Sequence, residues 1–227
     1  MLLNHLFGLY THPKEEWQTI DRTKETFAYP LSHIAIISLI PAVCSYIASA
    51  KIGWSIGAGD LIKMTNESAL FMSVGMYFGL FLGVICLAFM IQDLAEVFDA
   101  KPTITQSLEL AAYTATPLFM VGFAALYPVL WFVAMVGLAG LAYSVYLLYS
   151  GVPILMHIPE EKGFIYASTV VTCGLVLLSI LRARSYFGGQ SKPELQQNYL
   201  NYYARFFPKI SVREPMAFAD NKVLNRF

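Results

Sequence analysis

Long stretches with almost no charge recur along this chain. Each holds roughly twenty residues, enough at about 1.5 Å per helical residue to cross a hydrocarbon layer of about 30 Å. They run over about Leu31–Ala50, Ala69–Ile91, Thr105–Ala125, Val129–Tyr149 and Gly163–Leu181. The chain is 57% apolar and 13% charged, against about 25% charged in soluble domains. One water-facing core would not hide that much apolar surface, so lipid must cover the excess. The expected class is all-α: an integral membrane bundle of five transmembrane helices with amphipathic N-terminal and C-terminal helices. Its divisions are 1–30, an N-terminal amphipathic segment; 31–181, the transmembrane domain; and 182–227, an amphipathic tail.

Met1 to Tyr10 lacks the basic start and long apolar run of a cleavable signal, so the internal spans are expected to direct insertion. Pro13 suits the first position of a helix, with Glu15 and Glu16 where the helix dipole favours acid. Trp17 and Ile20 fall on one side, which fits a helix lying in the headgroup layer or one capping the bundle. In the tail, Ser191 and Glu194 make a capping-box pattern. Leu195, Tyr199, Tyr202, Tyr203 and Phe206 then recur at helical spacing. That face suits the membrane surface, the bundle or a partner.

Inside the spans, Pro41 cannot donate to the Ile37 carbonyl and predicts a kink. Pro117 likewise frees the Tyr113 carbonyl, with Thr114 and Thr116 near enough to help satisfy it. Gly75, Gly79 and Gly83 are spaced by four and form a smooth stripe for close helix packing, within the bundle or in a dimer. Leu126-Tyr127-Pro128 is so short a link that the helices it joins must be antiparallel.

Glu109 is the one acidic residue within the five stretches. A charge at mid-bilayer costs about 2.5–3.5 kcal/mol on insertion scales. Glu109 lies about one turn in. It either reaches the headgroups or is a buried carboxyl facing a polar cavity. With Tyr113, Thr114, Thr116 and Pro117 it marks a candidate polar, kinked site.

Zero net charge argues against a nucleic-acid partner. No nucleophile elbow, HExxH, phosphate loop or dinucleotide fingerprint occurs, so no catalytic residue or cofactor is expected. His5, His12, His33 and His157 are not at metal-ligand spacing, and Cys44, Cys86 and Cys173 each sit alone in apolar runs. Asp93, Glu96 and Asp99 read as a solvated acidic helix end. Lys14, Arg22, Lys24, Lys101 and Lys162 fall on one side of a five-span bundle. Lys51, Lys63, Arg182, Arg184 and Lys192 fall on the other, so charge alone leaves orientation tied.

One segment carries a family resemblance. Ala112-Tyr113-Thr114-Ala115-Thr116-Pro117, Ala125-Leu126-Tyr127-Pro128, Tyr146 to Pro153 and Pro159-Glu160-Glu161-Lys162 resemble the bacterial inner-membrane branch of the Yip family of multi-pass proteins. Leu6-Phe7-Gly8-Leu9-Tyr10 with His12-Pro13, and Ile52-Gly53-Trp54, fit the same pattern. The resemblance covers most of residues 1–181 and implies five spans, an inner-membrane location and a cytoplasmic amino end. Eukaryotic members bind small GTPases. Their acidic-Tyr-Gly-Pro signature is missing here, which argues against a GTPase partner.

The expected role is a non-enzymatic membrane organiser or adaptor with lipid or protein partners, among them a second copy or another membrane protein. The alternative is a small oligomeric transporter or channel with a polar path near Glu109 and Pro117.

Overall fold

A computed structural model of the chain describes residues 8–23, 26–53, 62–127 and 129–189. Helix α1 (Pro13–Thr23) opens on its proline, with Glu15 and Glu16 in the first turn and Arg22 in the last. Trp17 and Ile20 share one face and are buried, while most of the helix is exposed or half-buried.

The first apolar stretch forms α2 (Ala28–Ile37), α3 (Leu39–Ile47) and a closing π-helical turn, Ala48–Ile52. The break falls at Ser38, just ahead of Pro41, whose ring crowds the Ile37 carbonyl and offers it no N–H. The Ser38 hydroxyl turns back to donate to the Ile34 carbonyl at 2.6 Å, a bond that bends helices.

Helix α4 (Asn66–Ala95) is capped by Thr65, whose hydroxyl accepts from the Ser68 N–H at 3.4 Å. Helix α5 (Ile104–Met120) begins with a full capping box. The Thr103 N–H donates to Gln106 Oε1 at 2.8 Å, and the Gln106 N–H donates to Thr103 Oγ1 at 3.3 Å. Beyond Pro117, α5 tightens into 3₁₀ winding over Val121–Leu126. Helix α6 (Leu130–Leu155) follows within a few residues and packs back along α5, the hairpin that the short link demands. Helix α7 spans Glu160–Gly189.

Four of these segments are long and apolar enough to cross a membrane among the described residues: Ala28–Ile52, Asn66–Phe98, Ile104–Leu126 and Leu130–Leu155. The chain divides into two units, Met1–Leu175 and Val176–Phe227, and of the second the structure describes only residues 176–189, which are helical.

Helix α5 sits at the centre of the first unit. Of its span 56% is buried, against 17% for α4 and 6% for α6, so α4 and α6 turn most of their surface outward. Glycines permit several close approaches. A Cβ on Gly122 would lie 2.6 Å from the Pro41 Cα, and one on Gly151 would lie 2.7 Å from the Trp17 ring. Only glycine permits either contact.

Two helix ends on one side close alike. After α4, the Ala100 N–H bonds the Ala95 carbonyl at 3.0 Å, with Asp99 left-handed at φ 58°. After α6, the Ile158 N–H bonds the Pro153 carbonyl at 3.2 Å, with His157 left-handed at φ 52°. Both are Schellman-type ends in which a polar side chain occupies the usual glycine place. Each side chain reaches another element: Asp99 pairs with Lys162 at 3.0 Å, and His157 with Asp21 at 3.0 Å.

Candidate functional site

On α5, Glu109, Tyr113 and Thr116 are spaced by four and three, so they line one helical stripe. All are buried: Glu109 is 2% exposed, Tyr113 0% and Thr116 1%. From α2, His33 packs across this stripe, its ring centroid 5.0 Å from that of Tyr113 and its Nε2 2.9 Å from Thr116 Oγ1. The edge of Trp17 from α1 meets Tyr113 from elsewhere, at 6.2 Å. The neighbouring elements α1 and α2 thus both meet α5, far along the chain from either, at one tyrosine ring.

The threonines depart from expectation. Thr114 Oγ1 donates to the Leu110 carbonyl at 2.7 Å and Thr116 Oγ1 to the Ala112 carbonyl at 2.9 Å. Both hydroxyls bond carbonyls about one turn back, neither of them the Tyr113 carbonyl freed by Pro117. Thr116 has spent its only hydrogen, so His33 must donate to it from Nε2. An imidazole in that role holds the hydroxyl in place and does not activate it as a nucleophile.

Nearer the start of α5, Glu109 lines a cleft of about 580 Å³ with Asp21, Lys101, Thr103, Thr105, Gln106 and His157. Glu109 is therefore buried, at the edge of a polar recess, rather than extended into solvent. Asp21 is fixed from both sides: Gln106 Nε2 donates to its Oδ1 at 3.4 Å, and His157 Nε2 lies 3.0 Å from its Oδ2. No group of three or more His, Cys, Asp or Glu is arranged to hold a metal ion among the described residues.

The other sequence candidates lie elsewhere. Gly75, Gly79 and Gly83 are on α4, and nothing in the described chain comes within 4 Å of where their Cβ atoms would stand. Leu195, Tyr199, Tyr202, Tyr203 and Phe206 fall outside the described residues. Sequence reasoning missed His33, Trp17, Asp21, Lys101 and His157 as members of the site. His33 was detectable: an imidazole within an otherwise apolar span calls for a buried partner.

Residues 7–181, which contain the stripe and the cleft, match the family model described as Yip1 domain. The chain belongs to the Yip1-domain family. Two curated relatives, each called inner membrane protein YohC, come from Escherichia coli K12 and Escherichia coli O6:H1. Each is 34% identical over 182 residues, covering 80% of this chain and 93% of the relative. No solved structure matches this Yip1-domain chain. Together with the apolar helices, these relatives place it as a multi-pass protein of the inner membrane.

Proposed function

We propose that this Yip1-domain protein is a non-enzymatic organiser of the inner membrane, holding a second copy or another membrane protein against the outer face of α4. The observation that carries this reading is the open stripe. Gly75, Gly79 and Gly83 are exposed and uncovered by the described residues. A smooth glycine face lets another backbone come close enough for dispersion and Cα–H contacts, which drive helix association in lipid. Cys86 is exposed, three residues beyond Gly83 on the same face.

The fifth span in this reading is α7, whose residues Gly163 to Leu181 carry no charge before Arg182. The amino end and the Asp99 and His157 turns then share the cytoplasmic side, as the family resemblance implies. Helix α1 rests there with Trp17 and Ile20 turned inward.

The test is in-cell photo-crosslinking from position 79 at native expression, with oxidative crosslinking of Cys86 alongside. The expected result is one stoichiometric photo-adduct, either a self-dimer matched by a Cys86 disulfide that is lost in Cys86→Ser, or one other membrane protein. Failure to recover any stoichiometric adduct overturns the reading.

A small oligomeric transporter is the second reading, favoured by the buried Glu109–Tyr113–Thr116 stripe. Tight packing of His33, Tyr113 and Thr116 beyond the cleft weighs against it. A substrate flux that Glu109→Gln abolishes would establish it.

A further inference from the structure

The cleft beneath α1 is independent of the α4 face and has chemistry of its own. It lies where α5 begins and α6 has just ended, at the boundary of two membrane-crossing helices. That boundary is the depth of lipid headgroups. Its volume of about 580 Å³ falls within the roughly 300–1,000 Å³ of small-ligand sites.

Its walls carry both signs of charge. Asp21 and Glu109 supply carboxyls, and Lys101 supplies an ammonium that forms no ion pair among the described residues. A lone phosphate would meet two carboxyls against one lysine and a histidine already engaged by Asp21. A lone divalent cation would find no converging ligand set. An elongated group with a cationic and an anionic end satisfies both walls at once. The acidic wall is also organised in advance, because Gln106 and His157 hold Asp21 in place.

We propose that this cleft binds the headgroup of a membrane phospholipid bearing a primary ammonium, of the phosphatidylethanolamine type. Glu109 and Asp21 take the ammonium, and Lys101 with the Thr105 hydroxyl takes the phosphate. A primary ammonium offers three N–H donors to two carboxyls, which a quaternary ammonium does not. An anionic glycerol headgroup has no cation to place there.

The full-length protein in nanodiscs of equal parts phosphatidylethanolamine, phosphatidylglycerol and phosphatidylcholine, followed by native mass spectrometry, reads this directly. Phosphatidylethanolamine is expected to be retained over the other two. Glu109→Gln and the exposed Lys101→Ala are each expected to cut that retention by about tenfold, the effect of losing about 1.4 kcal/mol. Lys101→Ala removes no buried group, so it answers even if Glu109→Gln does not fold. Equal retention of the three lipids, or retention unchanged in Lys101→Ala, overturns the proposal. Phosphoethanolamine alone is the second probe: if it raises the melting temperature while the lipid is not retained, the ligand is a soluble one and the lipid assignment fails.

Discussion

His33 Nε2 stands 2.9 Å from Thr116 Oγ1 across the contact between α2 and α5, and that hydroxyl also donates to the Ala112 carbonyl at 2.9 Å. One hydroxyl hydrogen cannot serve both bonds, so the imidazole is the donor to Thr116. Replacing Thr116 with Val keeps the shape and removes the acceptor from a fully buried imidazole. The expected loss is about 1–3 kcal/mol, seen as a lower unfolding temperature in mild detergent. Thr116→Ser keeps the acceptor and should fall much less. Equal losses in the two variants would refute the assignment.

The glycines should divide sharply on substitution. A Cβ at Gly122 meets backbone of Pro41, which cannot rotate away, whereas one at Gly79 meets nothing within 4 Å among the described residues. Gly122→Ala should destabilise by about 1–3 kcal/mol, the usual range for overpacking. Gly79→Ala should leave the isolated chain's thermal stability unchanged or slightly higher, since alanine is the better helix former.

Trp17 anchors helix α1, fully buried against Tyr113 and Gly151. Trp17→Ala removes a large buried aromatic, a change worth about 3–5 kcal/mol in protein cores. Gly151→Val should loosen the same contact from the opposite side. In both variants, limited proteolysis should cut between α1 and α2 sooner than in the unaltered chain. Unchanged cleavage would mean that α1 is secured by other contacts.

His157 carries two opposed effects. Its left-handed backbone, φ 52°, costs a non-glycine residue about 1–2 kcal/mol. Its contact with Asp21 is largely exposed and worth about 1 kcal/mol at most. His157→Ala loses the contact and keeps the backbone cost, whereas His157→Gly loses both. The glycine variant should therefore be the more stable of the two in thermal unfolding. The reverse order would show that the imidazole's contacts outweigh the backbone.

Local chemistry made part of this architecture readable in advance. Long uncharged runs fix where helices can cross lipid, Pro13 opens α1, and Pro41 and Pro117 mark the places where hydrogen bonding must change. The burial of Glu109 was not readable. The residue lies close enough to a span end to reach water or be covered, and some of the residues that share its cleft come from α1 and the His157 turn. The His33–Thr116 bond joins residues 83 positions apart, a relation that no periodicity within either helix encodes. The glycine stripe was visible, but its direction was not: a stripe defines a face, and only the packing of the other helices decides whether that face looks in or out. The tighter winding at Val121–Leu126 also needed the fold, because Pro117 permits several adjustments.

The Pro41–Gly122 approach bears on how this bundle can move. The pyrrolidine ring sits in a notch cut by the missing side chain, so α3 and the tightened end of α5 mesh like a tooth and its gap. Sliding one along the other would unseat the ring and meet a steric wall within a fraction of a turn. Any rearrangement must carry these two rods as a single piece, and α6 goes with them, because Gly140 brings it just as close to Val121 in the same tightened segment.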